Sequence, residues 1–204
     1  ARTSDTIADS EAGVPDELLE ALESYNEFSQ GVTDRSPDLV SITESQGNKS
    51  EASLLKKVEE IVSKIGDFSE SDQTAIRLCL GIIISGQILD LQRFSSDGSS
   101  ILSLESDEEL EDYTYRVAGS VGEFWTRMSL DHLFSIKEEN IESELFEKGV
   151  RFGKALQMIN ILRDIPADLS LGRCYIPSRR LAEHGITPKD LLEPPSMDVF
   201  RPLY

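Results

Sequence analysis

Apolar residues along this chain recur at steps of three and four, and no other feature limits the possible fold as tightly. Leu54, Leu55, Val58, Ile61, Val62 and Ile65 make one such stripe, the spacing of a helix face set against a core. The two-residue alternation of a half-buried strand is scarce, so the expected class is all-α. Helix starts are marked by Ser-x-x-acid patterns, in which the hydroxyl accepts from a free first-turn amide: Ser69 with Asp72, Ser106 with Glu109, and Ser135 with Glu138. Together these signals predict a short helix around Asp5 and Asp9, and further helices over 15–28, 51–65, 70–93, 107–134 and 139–165. Ser29 to Ser50 reads as a polar loop. The segment from Ala167 to Tyr204 holds Pro177, Pro188, Pro194, Pro195 and Pro202 and reads as loop with at most short helices.

Charge narrows the partners. The 38 acidic against 20 basic residues leave a formal charge of -18, which repels a phosphate backbone and an anionic leaflet alike, so nucleic acid is not expected as a partner. With 39% hydrophobic residues over 204 positions, the chain is expected to form one packed domain, 1–204, rather than an acidic tail. No stretch approaches the roughly 20 apolar residues of a membrane span. Leu78 to Ile84, the most apolar run, reads as buried core, and the polar start gives no signal peptide, so no transmembrane segment is expected. Cys79 and Cys174 have no metal-ligand spacing and read as reduced thiols of a cytoplasmic protein. The chain does not start with Met and has no stopping signal near Tyr204, so truncation at both ends is expected.

Asp5-Thr-Ile-Ala-Asp9 and Asp164-Ile-Pro-Ala-Asp168 share the pattern Asp-x-x-x-Asp. A step of four turns a helix by about 400°, so both carboxylates of a pair leave nearly the same face. Two such faces turned together make a cleft that repels itself unless hard divalent cations sit in it; magnesium, which prefers phosphate as a co-ligand, suits a diphosphate substrate. Asp-x-x-x-Asp also arises on solvated faces of so acidic a chain, and neither pair decides anything alone. The second pair has the more telling setting, because Gln157, Asn160 and Asp164 form a polar row in an otherwise apolar helix, and such a row must be bonded or wet. Arg2 and Arg163 stand beside the two pairs, where a guanidinium fork suits phosphate oxygens and a surface ion pair is the plainer reading. Pro166 is expected to bend the helix between Asp164 and Asp168 and so to move Asp168 off the ideal face. Gly119 and Gly122, with Ala118, mark a face where a helix or a ligand comes close.

Several of these runs resemble squalene and phytoene synthases. Tyr113 to Gly122 is similar to the family's Tyr-x-x-Tyr/x-Val-Ala-Gly-x-Val-Gly segment, and Gly153 to Asp168 followed by Gly172-Arg173-Cys-Tyr175-Ile-Pro177 resembles its second aspartate signature. Arg2-Thr-Ser-Asp5-Thr-Ile-Ala-Asp9 resembles the first aspartate motif, and Gly86-Gln-Ile-Leu-Asp90-Leu the Gly-x-x-x-Asp-Leu segment between them. The resemblance implies an all-α class I isoprenoid synthase helical bundle around a central cavity. It implies Mg2+ held by Asp5, Asp9, Asp164 and Asp168, diphosphate oxygens on Arg2 and Arg163, Tyr113 in the ionisation and rearrangement chemistry, and Gln157 and Asn160 on the same wall. The implied reaction starts with loss of one diphosphate to leave an allylic cation, which a second substrate's double bond attacks to give a cyclopropylcarbinyl diphosphate. The substrate would be farnesyl or geranylgeranyl diphosphate. Val121 to Trp125 inclines the expectation to squalene, made from two farnesyl diphosphates via presqualene diphosphate with NADPH as reductant; phytoene and dehydrosqualene are the alternatives. No Gly-x-Gly-x-x-Gly fingerprint marks a dinucleotide site. Peripheral contact with a membrane would help release an oily product.

Two readings of other classes stay open from the residues alone. A non-catalytic acidic helical protein binding calcium or a protein partner would scatter its aspartates over the exterior. A terpene cyclase-like enzyme, using one diphosphate, would need one strong aspartate motif and not a pair. His132 and His184 lack a neighbouring nucleophile and read as helix-end or surface residues, which argues against a hydrolase.

Overall fold

The computed structural model describes residues 1–10, 14–95, 100–134 and 139–192. Those residues fold as helices: α1 (Arg2–Ala8), α2 (Pro15–Gln30), α3 (Val40–Ser45), α4 (Lys49–Leu55), α5 (Val58–Ser63), α6 (Glu70–Arg93), α7 (Asp107–Thr114), a π-helical turn (Tyr115–Gly119), α8 (Ser120–His132), α9 (Glu139–Ser170) and α10 (Ser178–Glu183). Two-residue strands β1 (Leu102–Ser103) and β2 (Arg173–Cys174) pair in parallel. The long helix α6 is the axis of the bundle and packs against α1, α2, the π turn and α8, while α8 lies along α9.

Local chemistry sets the helix ends. Pro15 with Asp16 and Glu17 opens α2, and Gly31, at φ 73°, closes it in the left-handed conformation. Ser69 caps α6 by accepting from the Asp72 amide at 3.2 Å, as its spacing predicts. Ser106 precedes α7 without a side-chain cap bond; there Glu109 reaches back instead and accepts from the Glu105 amide at 2.7 Å. Ser135 and Glu138, like Pro194, Pro195 and Pro202, lie outside the described residues.

Tertiary burial overrides several local expectations. A single helix over 51–65 breaks into α4 and α5 at Lys56 and Lys57, so that Leu55 and Val58 both reach one core, while Ile65 is buried beyond them. The supposed loop before it contains α3, since Leu39 and Ile42 are buried there and each contributes roughly 1.5–3 kcal/mol of burial. The helix expected to stop at 165 runs through Pro166 to Ser170. A proline removes only its own amide and crowds one earlier carbonyl, and burial of Ile161 and Leu169 on either side holds the helix together. Leu78 is 60% exposed rather than core, although Leu80, Ile83 and Ile84 are buried as expected. By length and composition alone α6 would pass for a membrane-crossing helix, yet it buries Asp72, Gln87 and Asp90 against neighbouring helices.

The glycines of α8 and α9 bring those helices into backbone contact. A Cβ on Gly122 would stand 1.9 Å from the Gly149 carbonyl oxygen, and one on Gly153 would stand 2.2 Å from that of Ala118. Close helix packing is therefore what these residues serve. The cysteines form no disulfide. His132 ends α8 and bonds to Asp72 at 2.8 Å, and His184 follows α10, so both are the helix-end residues expected.

Candidate functional site

α1, α6, α7 and α9 meet around one cavity of about 790 Å³. Asp5 leaves α1 and Asp9 stands one residue past its end, while Asp164 and Asp168 come from the last turns of α9. All four line this cavity, so two carboxylate pairs from opposite ends of the chain converge. Asp168 does so despite Pro166, because the helix continues through it. Gln157, Asn160, Arg163 and Tyr113 line the same space, and the Asn160 amide donates to Gln157 Oε1 at 3.3 Å. Arg2 is the exception among the expected residues. It stays outside the lining, with Nη1 3.2 Å from Asp5 Oδ2 and Nη2 2.5 Å from Glu51 Oε1. Arg163 folds onto Asp164 with donors 2.7 and 2.6 Å from its two oxygens. Both arginines thus form the ion pairs of the plainer reading.

Four further residues belong to the wall. From α6, Gln87 donates to Asp5 Oδ1 at 3.2 Å. One turn on, Asp90 accepts from the Tyr175 hydroxyl at 2.7 Å, with Arg173 3.5 Å away. The β1–β2 pair holds Arg173 and Tyr175 in place against the cavity. These residues stand within the sequence motifs, which by themselves give them no role. The signal was available, since Gln87 and Asp90 are polar groups in the most apolar helix, the same anomaly that marks Gln157 and Asn160.

The lining carries five carboxylates (Asp5, Asp9, Asp90, Asp164, Asp168) against two guanidiniums (Arg163, Arg173). The excess shows in the acidities. Burial, then the neighbouring Asp5, pushes the Asp9 carboxyl up. Burial, then Asp164, pushes Asp168 up to about 6. Burial takes Asp90 up to about 6 as well, and Arg173 opposes the rise at all three. Asp164 alone moves down, because Arg163 bonds to it. Crowded, half-dehydrated carboxylates of this kind are suited to hard divalent cations. Among the described residues no three of His, Cys, Asp or Glu form a ready ligand set for one ion.

An apolar cleft of about 740 Å³ runs along the α8–α9 seam, and Val117, Gln157 and Asn160 line both it and the carboxylate cavity. Its walls include Val121, Trp125, Phe134, Leu145, Phe152 and Leu156, with Gly122, Gly149 and Gly153 between them. A polar, anionic chamber and an apolar cleft therefore share a stretch of wall.

A family model described as squalene/phytoene synthase matches residues 1–204. The chain is 37% identical over 97 residues to a bifunctional lycopene cyclase/phytoene synthase of Gibberella fujikuroi, covering 48% of the chain and 17% of that protein. The protein of the same description from Arthroderma gypseum is 36% identical over 124 residues (61% of the chain, 20% of the relative). That of Pyrenophora tritici-repentis is 33% identical over 144 residues (64% and 23%). The chain spans about a fifth of the length of these curated relatives.

Proposed function

Because this chain belongs to the squalene/phytoene synthase family, we propose that it is the catalytic part of a prenyltransferase that joins two isoprenyl diphosphates head to head. One observation carries the reading: both aspartate pairs line a single chamber that shares Gln157, Asn160 and Val117 with an apolar cleft. An amphiphile with a diphosphate head and a prenyl tail matches that division. A scattered acidic surface protein would not bring the pairs together, and a single-diphosphate cyclase would not need two.

Asp5, Asp9, Asp164 and Asp168 would hold Mg2+, which when bound supplies positive charge to the diphosphate and stabilises the negative charge that develops as it leaves. Arg173 stands among Asp9, Asp90 and Asp168 and offers a guanidinium to phosphate oxygens. Arg163 would reach the same oxygens by giving up Asp164, and Arg2 by giving up Asp5 and Glu51. The Gln157–Asn160 pair sets the boundary at which the head meets the tail. The cleft keeps water from the allylic cation, and Tyr113, beside Val117 on the wall, stands near where that cation forms.

The relatives are named for phytoene synthase, which favours geranylgeranyl diphosphate as substrate and phytoene as product over the squalene suggested by Val121 to Trp125. Phytoene formation needs no NADPH, whereas squalene formation does. The test is incubation of the intact protein with Mg2+ and either geranylgeranyl or farnesyl diphosphate, with and without NADPH, followed by analysis of the hydrocarbon extract. Phytoene from the first substrate without reductant is expected. Squalene alone would move the assignment within the family, and no diphosphate release from folded protein would remove it. In the same assay Asp5→Asn and Asp164→Asn abolish turnover while leaving the helical circular dichroism intact.

A further inference from the structure

Tyr113 stacks on Tyr175 with ring centroids 4.7 Å apart and planes at 21°. The Tyr175 hydroxyl, on the ring stacked against Tyr113, donates to Asp90 Oδ2 at 2.7 Å. All three side chains line the cavity, and the series ends at a carboxylate only 8% exposed, whose Oδ1 has no partner among the described residues. A buried carboxylate with an unmet acceptor is costly to keep, and packing alone would be served as well by an apolar side chain. Phe94 packs edge-on against Tyr175 at 5.2 Å and closes the far side of the ring. Tyr113 itself stands one helical turn before Val117, a residue shared by the carboxylate chamber and the apolar cleft.

If the product is phytoene, a conclusion that rests on the function proposed above, the last carbocation must lose a proton to form the central double bond. The geometry points to a proton relay from Tyr113 through Tyr175 to Asp90 that takes this proton. The C–H bond of the cation breaks and its electron pair becomes the new π bond. The proton bonds to the Tyr113 oxygen, the proton of Tyr113 passes to Tyr175, and that of Tyr175 passes to Asp90 Oδ2. The cation becomes a neutral alkene, the carboxylate becomes a neutral acid, and both phenols are restored. Water entering after product release takes the proton from Asp90. No oxidant or reductant is involved.

The acidities agree with the direction of transfer. Burial pushes both phenols up, so neither persists as a phenolate and each ends the transfer carrying a proton. Burial also raises the Asp90 carboxyl to about 6, against the pull of Tyr175 and Arg173, which makes it a better acceptor than an exposed aspartate. Asp90 and Tyr175 act on this proton through Tyr113. The relay separates two rivals, a purely structural cluster and deprotonation by the released diphosphate.

The test uses the intact protein with geranylgeranyl diphosphate and Mg2+ in single turnovers, following diphosphate release, the cyclopropylcarbinyl diphosphate and the alkene separately. Tyr175→Phe deletes the middle hydroxyl and keeps the stacked ring, and Asp90→Asn keeps the shape and removes the acceptor. The expected result is a fall of about 100-fold in the ratio of alkene to cyclopropylcarbinyl diphosphate in both variants. Alcohols from capture of the cation by water replace the missing alkene, and the solvent deuterium isotope effect on alkene formation in the wild type disappears in Tyr175→Phe. An unchanged ratio, or an equal fall in both steps, overturns the relay while leaving the proposed function in place. A wild-type protein that releases no diphosphate overturns both. Should Asp90→Asn fail to fold by circular dichroism, Tyr175→Phe alone decides.

Discussion

Asp168 shows how much a single residue depends on what surrounds it. Its carboxyl stands at about 6 against an ordinary 3.8, raised by burial and then by Asp164. Between those values the folded state binds the proton more tightly than the unfolded chain does. The stability this group contributes to the cation-free protein is thus full below about pH 4 and is lost as pH rises through about 6. A bound cation reverses the preference by favouring the ionised form. Mg2+ with inorganic diphosphate should therefore raise the melting temperature more at about pH 7.5 than at about pH 5, and Asp168→Asn should remove most of that difference in a thermal-shift titration. An equal shift at both pH values would take Asp168 out of the cation site. The spacing of the four motif aspartates and the apolar setting of Gln157 and Asn160 could be read in the sequence, whereas Tyr113 was singled out only by the family resemblance. Asp90, Gln87, Arg173 and Tyr175 were not assigned roles, because their meaning is a set of distances between α6 and the β1–β2 pair. Arg2 was expected in the chamber, but Asp5 and Glu51 hold it outside the lining.

Among the elements, the α8–α9 pair is decisive, since its seam forms the floor of the apolar cleft. Gly122 and Gly149 allow the backbones to touch, and an added Cβ at Gly122 would meet the Gly149 carbonyl oxygen at 1.9 Å. Alanine is favoured over glycine in a helix by about 1 kcal/mol, so the sign of the change reports on the contact. Gly122→Ala should lower stability by about 1–3 kcal/mol in urea unfolding. Gly66→Ala, with nothing within 4 Å of the added carbon, should stay near neutral. A stabilised Gly122→Ala would mean that the helices do not approach this closely. Just ahead of α8 the π turn over Tyr115–Gly119 interrupts the α-helical register after Tyr113. π turns of this kind recur at functional sites. The apolar period predicted a helix across this stretch and could not distinguish a π turn from an α turn, since one extra residue per turn barely alters the pattern.

For the molecule as a whole, the division between an anionic chamber and an apolar cleft dominates. Trp125, Phe134 and Phe152 line the cleft and are 63%, 61% and 65% exposed. Exposed aromatic groups clustered in a groove mark a binding surface more than a tolerated accident. Trp125 is the sole tryptophan, so its emission reports on this slot alone. A non-ionising thio analogue of geranylgeranyl diphosphate should shift that emission to the blue and inorganic diphosphate should not; equal responses would place the tail elsewhere. The all-α class, most helices and both aspartate pairs follow from the sequence itself, because helical period and i, i+4 spacing are local properties that need no knowledge of neighbours. The break between α4 and α5, the passage of α9 through Pro166, the burial of Asp90 and the wall shared by chamber and cleft were decided only in the tertiary structure. Each depends on which surfaces lose water to one another across distant parts of the chain, and a linear pattern does not encode that.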